Sequence, residues 1–100
     1  MVKINWTKQS KNDLQDIFEF IAKDSKRLAH KEVSKIQKHA EVLKDFPDSG
    51  KRFEGLHDES LREIVYSHYK ILYKIVTSEV INILTVHHGA RSIPKRKLKY

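Results

Sequence analysis

The chain has 100 residues, of which 39% are apolar and 33% are charged. This size and composition fit one small folded domain over residues 1–100, and they exclude wholesale disorder and two independent cores. Twenty Lys and Arg against 13 Asp and Glu give a formal charge of +7, which predicts an acidic partner. Cysteine is absent, so disulfide scaffolds, thiolate metal sites and thiol nucleophiles are excluded.

Neither a membrane span nor a signal peptide is predicted. No run approaches the roughly 18 apolar residues that a membrane helix needs, and residues 1–6 lack the apolar region of a signal peptide. We therefore expect a cytoplasmic protein.

The N-terminal half predicts a strand followed by a helical hairpin. Apolar and polar residues alternate over 2–6, which is typical of a half-buried strand. Ser10 and Asp13 have the spacing of a capped helix start. Apolar residues then recur at helical spacing in two runs, separated by a break and a new cap at Asp24-Ser25, and the second helix is predicted to end before residues 46–47.

The C-terminal half predicts an antiparallel meander. Residues 47–60 are polar and without periodicity, which indicates a surface loop. Residues 61–88 are dense in Ile, Val, Leu and Tyr and are cut by two turns. The predicted fold is therefore α+β, in the order β-α-α-β-β-β, with the N-terminal strand and the meander forming one sheet packed against the α-hairpin. The three strands of the meander are expected at about 61–66, 69–76 and 80–88.

Alternation along the middle strand of the meander assigns its two faces. The face of Tyr69, Ile71, Tyr73 and Ile75 is expected to contact the helices, and the lysines at 70 and 74 are expected on the open face. For the last strand, a one-residue change of register decides whether residue 83 or 84 faces inward. The sequence leaves that choice open.

The C-terminus is the most basic segment. Residues 92–100 form a basic tail that follows Arg91. Two interpretations of this tail are open. It is either a surface that contacts phosphate or carboxylate groups, or a solvated tail that aids solubility.

This order of elements resembles the ParE/RelE superfamily of bacterial toxins from type II toxin–antitoxin systems. The resemblance covers about residues 2–93. Residues 6–8, 13–14, 17, 46–47 and 50 fall where that family places its first strand, its first helix and the turn after its second helix. The main similarity lies in the segments Leu-Arg-Glu at 61–63, Tyr-Lys-Ile-Leu-Tyr-Lys-Ile at 69–75 and Val-Ile-Asn-Ile-Leu-Thr-Val-His-His-Gly-Ala-Arg at 80–91.

The resemblance implies a growth-inhibiting toxin linked to plasmid stabilisation. ParE-like members poison DNA gyrase and need no RNA-cleaving site, whereas RelE-like members are ribosome-dependent mRNA endonucleases that use no metal. Both are neutralised by a cognate antitoxin whose acidic, partly disordered segment wraps the toxin, which implies a toxin–antitoxin hetero-oligomer. No cofactor or metal is expected.

The RelE-like alternative implies the catalytic residues Arg62, Lys70, His88 and Arg91. Cutting RNA needs a base, charge stabilisation at phosphate and help for the leaving oxygen. Lys70 stands where those toxins usually present an arginine, and an ammonium lacks the bidentate fork of a guanidinium. Arg62 keeps a guanidinium suited to phosphate or to an antitoxin carboxylate.

The remaining candidates do not complete a nuclease site. His87 and His88 are strand neighbours whose rings point to opposite faces, and His88 better matches the histidine that ends this strand in relatives. Tyr100 is the only candidate for the C-terminal tyrosine of RelE-like enzymes. We therefore favour the ParE-like branch, with the mRNA endonuclease as the alternative and a non-toxic relative that keeps only antitoxin binding as a third possibility.

Overall fold

The computed structural model describes residues 2–53 and 58–89. The predicted order of elements is confirmed, with one short strand added inside the segment that was predicted to be a loop. The elements in chain order are β1 (Lys3–Trp6), α1 (Lys8–Ala22), α2 (Lys26–Glu41), a 3₁₀ turn (Val42–Lys44), β2 (Lys51–Arg52), β3 (Leu61–Tyr66), β4 (Tyr69–Thr77) and β5 (Val80–His88).

The five strands form one mixed sheet in the order β1-β5-β4-β3-β2. The meander β3-β4-β5 is antiparallel, and β1 joins β5 in parallel, with Ile4 opposite Ile81. The predicted single sheet of an α+β fold is therefore confirmed. The added strand β2 pairs with β3 through only Lys51 and Arg52, and two exposed residues are too few to produce an alternation signal.

The two helices begin at different kinds of sequence signal. The predicted start at Ser10 is wrong: the cap is Thr7, whose side-chain oxygen accepts a hydrogen bond from the Ser10 N–H at 3.2 Å. Ser10 lies inside α1, where its hydroxyl donates to the Thr7 carbonyl at 2.8 Å. The cap predicted at Asp24-Ser25 is confirmed, and Ser25 provides it, because its side chain accepts a hydrogen bond from the Leu28 N–H. Among the described residues, no helix has the length and apolar character that a bilayer crossing requires.

The main core lies between the sheet and the helices. Tyr69, Ile71 and Tyr73 of β4 belong to it together with Ile36 of α2, so the predicted inward face of β4 is confirmed. The opposite face is not fully open. A second cluster of Leu61, Leu72 and Leu84 is completely buried there, with Phe53 packed against it.

A β-bulge on β5 resolves the register of the last strand. Tyr73 pairs with Ile83 while Leu72 pairs with Thr85, so Leu84 is an extra residue on β5. Ile83 contributes to the helix-side core and Leu84 to the second cluster. Both residues that competed for the inward position are therefore buried, on different sides of the sheet.

Candidate functional site

Arg62 lies on β3 directly opposite Tyr73 and on the same face as the helices. Its guanidinium Nη1 donates to the Gly50 carbonyl at 2.9 Å and approaches the Asp48 carbonyl at 3.4 Å. Its Nε is buried and makes no hydrogen bond within the described part of the chain. The guanidinium therefore binds the turn before β2 through Nη1.

Tyr73 binds the same turn from β4. Its fully buried phenol donates to the Pro47 carbonyl at 2.8 Å and accepts from the Gly50 N–H at 2.9 Å. Burial raises the pKa of the Tyr73 phenol above its ordinary value, and the Gly50 N–H and the Arg62 guanidinium only partly oppose that effect. Tyr73 therefore stays neutral at physiological pH and acts as a structural donor and acceptor.

Lys70 projects from the opposite face of the sheet. Its cross-strand partners are Val65 on β3 and His87 on β5, and its side chain is partly exposed. Because side chains alternate along β4, Lys70 and the helix-side Arg62 do not share a surface.

His88 ends β5 opposite Tyr69, which belongs to the helix-side core. It is exposed, and its ring centroid lies 5.4 Å from that of Tyr69 and 6.2 Å from that of His68. Lys70 and His88 therefore occupy opposite faces of neighbouring strands. Arg91, Tyr100 and the basic tail at 92–100 lie outside the described residues.

A cleft of about 400 Å³ opens between α1 and the ends of β4 and β5. It combines acidic side chains and the His88 imidazole with an apolar floor, and Phe20 at its rim is 73% exposed. Burial raises the pKa of the Tyr69 phenol, and the nearby Glu32 and Tyr66 add to the shift. Such a concave surface suits side chains of a partner protein. Its lining residues are Asp13, Asp16, Ile17, Phe20, Tyr69, Val86, His87 and His88.

Asp13 anchors α1 to β5 at the base of this cleft. It is 4% exposed, and its carboxylate accepts hydrogen bonds from the Val86 N–H at 3.0 Å and from the Thr85 hydroxyl. The pairing of β1 with β5 ends at Ile83. The Asp13 carboxylate therefore binds the edge of β5 beyond Ile83, where β1 no longer pairs with it. The sequence pattern indicated only a helix start at Asp13. The available signal was an acid directly beside Leu14 in the apolar stripe of α1.

Exposed apolar side chains lie outside the cleft as well. Val42 after α2 and Val65 on β3 are 45% and 59% exposed, and both line a second cleft of about 370 Å³. Exposed apolar groups of this kind are typical of protein-binding surfaces.

Within residues 2–53 and 58–89, no three His, Asp or Glu side chains are grouped as they would be around a metal ion.

Comparison with solved structures supports this fold. A chain of the chromosomal ParDE TA system from P. aeruginosa superposes with a TM-score of 0.74 at 19% sequence identity, covering 89% of this chain and 97% of that chain. A chain of the toxin–antitoxin complex RelBE2 from Mycobacterium tuberculosis superposes with a TM-score of 0.63 at 20% identity, covering 87% and 96%.

Comparison with protein families assigns the sequence. No protein of curated function matches it. The family described as the ParE toxin of the type II toxin–antitoxin system parDE matches residues 4–93. Because this match spans most of the sequence, the chain belongs to the ParE toxin family of type II toxin–antitoxin systems.

Proposed function

We propose that this toxin inhibits growth in the cytoplasm by binding DNA gyrase, and that a cognate antitoxin keeps it silent. The observation that carries the proposal is the separation of Arg62, Lys70 and His88. Arg62 is committed to a turn, and Lys70 and His88 lie on opposite faces of the sheet. This arrangement favours action through protein contact over cleavage of RNA.

The chemistry of RNA cleavage explains why this separation matters. A base, a phosphate-stabilising cation and an acid must surround one scissile phosphate at hydrogen-bond distances. The Arg62 guanidinium meets backbone carbonyls instead, and the Tyr73 phenol beside it is buried and neutral. A gyrase-binding toxin needs no such convergence.

Charge and exposed apolar groups support the antitoxin as partner. A formal charge of +7 attracts an acidic segment over long range. Exposed side chains such as Phe20 and Phe46, at 73% and 63%, offer apolar contact area that offsets the ordering of a disordered segment. The two solved relatives come from a toxin–antitoxin system and a toxin–antitoxin complex by name. A toxin–antitoxin hetero-oligomer follows from this proposal.

A gyrase supercoiling assay tests the target. Purified toxin in molar excess is expected to block supercoiling of relaxed plasmid, and addition of the antitoxin encoded beside it is expected to restore supercoiling. Unaffected gyrase together with codon-positioned cuts in translated mRNA would overturn the proposal in favour of the endonuclease. Neither activity in a protein that still binds the antitoxin would indicate the non-toxic relative.

The endonuclease alternative has its own test at His88. If the chain cuts mRNA with Arg62, Lys70, His88 and Arg91, His88→Gln is expected to abolish the cuts without unfolding the protein. His30→Gln is the matched control, because His30 is an exposed histidine on α2 that packs against Phe18. Equal cutting by both variants would remove His88 from that mechanism.

A further inference from the structure

Two exposed histidines meet where β4 begins and β5 ends. His68 closes the turn before β4, and His88 is the last residue of β5. Tyr69 pairs with His88 across the two strands, and the Gly89 N–H donates a hydrogen bond to the His68 carbonyl. The backbone at His68 is therefore held next to the backbone at His88. The imidazole centroids lie 6.2 Å apart, with ring planes inclined by 32°.

We infer that His68 and His88 form a two-histidine site for a borderline divalent metal ion such as Zn²⁺ or Ni²⁺. Imidazole is a preferred ligand of these ions. A Zn–N bond of about 2.0–2.1 Å places the ion roughly 3 Å from each ring centroid, so two rings on one tetrahedral ion have centroids about 5 Å apart. The observed pair is close to that separation, and both side chains are exposed and free to rotate the rest of the way.

The local backbone favours this pairing of ligands. Ser67 and Gly89 both adopt φ of 53°, and these left-handed positions flank His68 and His88 directly. The bond between Gly89 and His68 fixes the two Cα positions before a metal arrives. Binding therefore orders only the two side chains, which keeps its entropic cost low.

Charged groups around the pair act in both directions. Lys31, Glu32 and Lys35 of α2 line a shallow cleft with His68, and two carboxylates, at positions 13 and 16, line the neighbouring cleft with His88. Carboxylates favour a bound cation and the lysines oppose it. Tyr69 lines both clefts, and we expect water to complete the coordination shell of a bound ion.

Isothermal titration of metal-free, untagged protein with ZnCl₂ near neutral pH tests the site. One binding event per chain is expected. His68→Gln and His88→Gln are each expected to weaken the affinity for Zn²⁺ by at least about tenfold, because each variant keeps only one of the two imidazole ligands. His30→Gln, on α2, is expected to bind like the parent. Retention of the untagged protein on immobilised Ni²⁺ should follow the same order.

A second readout separates this site from binding elsewhere. Zn²⁺ bound between the turn at His68 and the end of β5 is expected to raise the thermal midpoint of the parent and of His30→Gln, but not of His68→Gln. Unchanged affinity in both the His68 and His88 variants, or no binding by the parent, would overturn the inference. Circular dichroism of each variant shows that the fold is retained. The outcome does not depend on whether gyrase or mRNA is the target.

Discussion

Arg62 and Tyr73 stand directly opposite each other on β3 and β4, and both bind the turn at 47–50. Arg62 donates to the Gly50 carbonyl, and Tyr73 both accepts from the Gly50 N–H and donates to the Pro47 carbonyl. The two side chains thus form hydrogen bonds with backbone groups of the segment between the helices and β2, at positions that belong to neither a helix nor a strand. A basic residue that the family resemblance assigned to phosphate or antitoxin therefore has a structural task in this chain.

Removal of the Tyr73 hydroxyl is expected to destabilise the protein. Tyr73→Phe leaves the buried Gly50 N–H without its acceptor and the Pro47 carbonyl without its donor, which predicts a loss of about 1–3 kcal/mol in the free energy of unfolding. Urea denaturation measures it. Tyr66→Phe on β3, whose ring is partly exposed and packs against His39, is the control. Equal stability of the two variants would contradict the structural role of Tyr73.

Arg62→Lys tests whether geometry or charge holds the turn. A lysine keeps the charge but loses the Nη1 that the rigid guanidinium directs at the Gly50 and Asp48 carbonyls, so a loss of about 1 kcal/mol is expected. Arg52→Lys is the matched control, because Arg52 lies across from Arg62 and its side chain is 61% exposed. That substitution is expected to stay within about 0.5 kcal/mol of the parent. If charge alone mattered, both lysine variants would keep parental stability in guanidinium denaturation.

Gly50 has no room for a side chain. A Cβ at this position would lie 2.4 Å from the Tyr73 hydroxyl and 2.9 Å from the Glu63 carbonyl oxygen. Gly50→Ala is therefore expected to cost about 1–3 kcal/mol through overpacking. Combined with Tyr73→Phe, part of the clash disappears, so the double variant should be less destabilised than the sum of the single variants. Strict additivity in thermal or urea unfolding would contradict a direct contact.

Local sequence patterns predicted the element order and the inward face of β4. They succeed because alternation and helical spacing act within a few residues. Thr7 and Ser10 have the same three-residue spacing as Ser10 and Asp13, so the spacing alone did not identify the cap. The two residues of β2 are too few for any period.

Features that depend on distant parts of the chain were beyond local patterns. The bulge at Leu84 depends on how β4 and β5 align, and either register buries an apolar residue. Asp13 binds groups more than 70 positions away, on Thr85 and Val86. The approach of His68 to His88 likewise follows from the strand register. Each is a tertiary relationship with no periodic signature.

Two buried tyrosines predict weakening at alkaline pH. The pKa values of Tyr69 and Tyr73 are raised in the folded protein, mainly by burial. An unfolded tyrosine ionises near pH 10. Between about pH 10 and the higher folded pKa, the unfolded chain therefore binds fewer protons than the folded protein. Their contribution is therefore complete below about pH 10 and is lost as the pH rises through the folded pKa. Urea midpoints measured from pH 8.5 to 11 should decrease only at the alkaline end, and less steeply for Tyr73→Phe relative to its own neutral-pH value. A midpoint that falls equally in both proteins would assign the effect to other groups.

The Asp13 carboxylate is expected to be a main anchor between α1 and β5. Asp13→Asn loses the charge that strengthens the bonds from the Val86 N–H and the Thr85 hydroxyl, and hydrogen bonds to a charged group are about twice as strong as neutral ones. A loss of about 1–3 kcal/mol in the free energy of unfolding is expected. Asp16→Asn, exposed on the same helix, is the control and should stay within about 0.5 kcal/mol. Hydrogen exchange should show that the Val86 amide loses protection in Asp13→Asn before the other β5 amides do. A uniform loss of protection along β5 would mean that Asp13 stabilises the whole domain and not the edge of β5 at Val86.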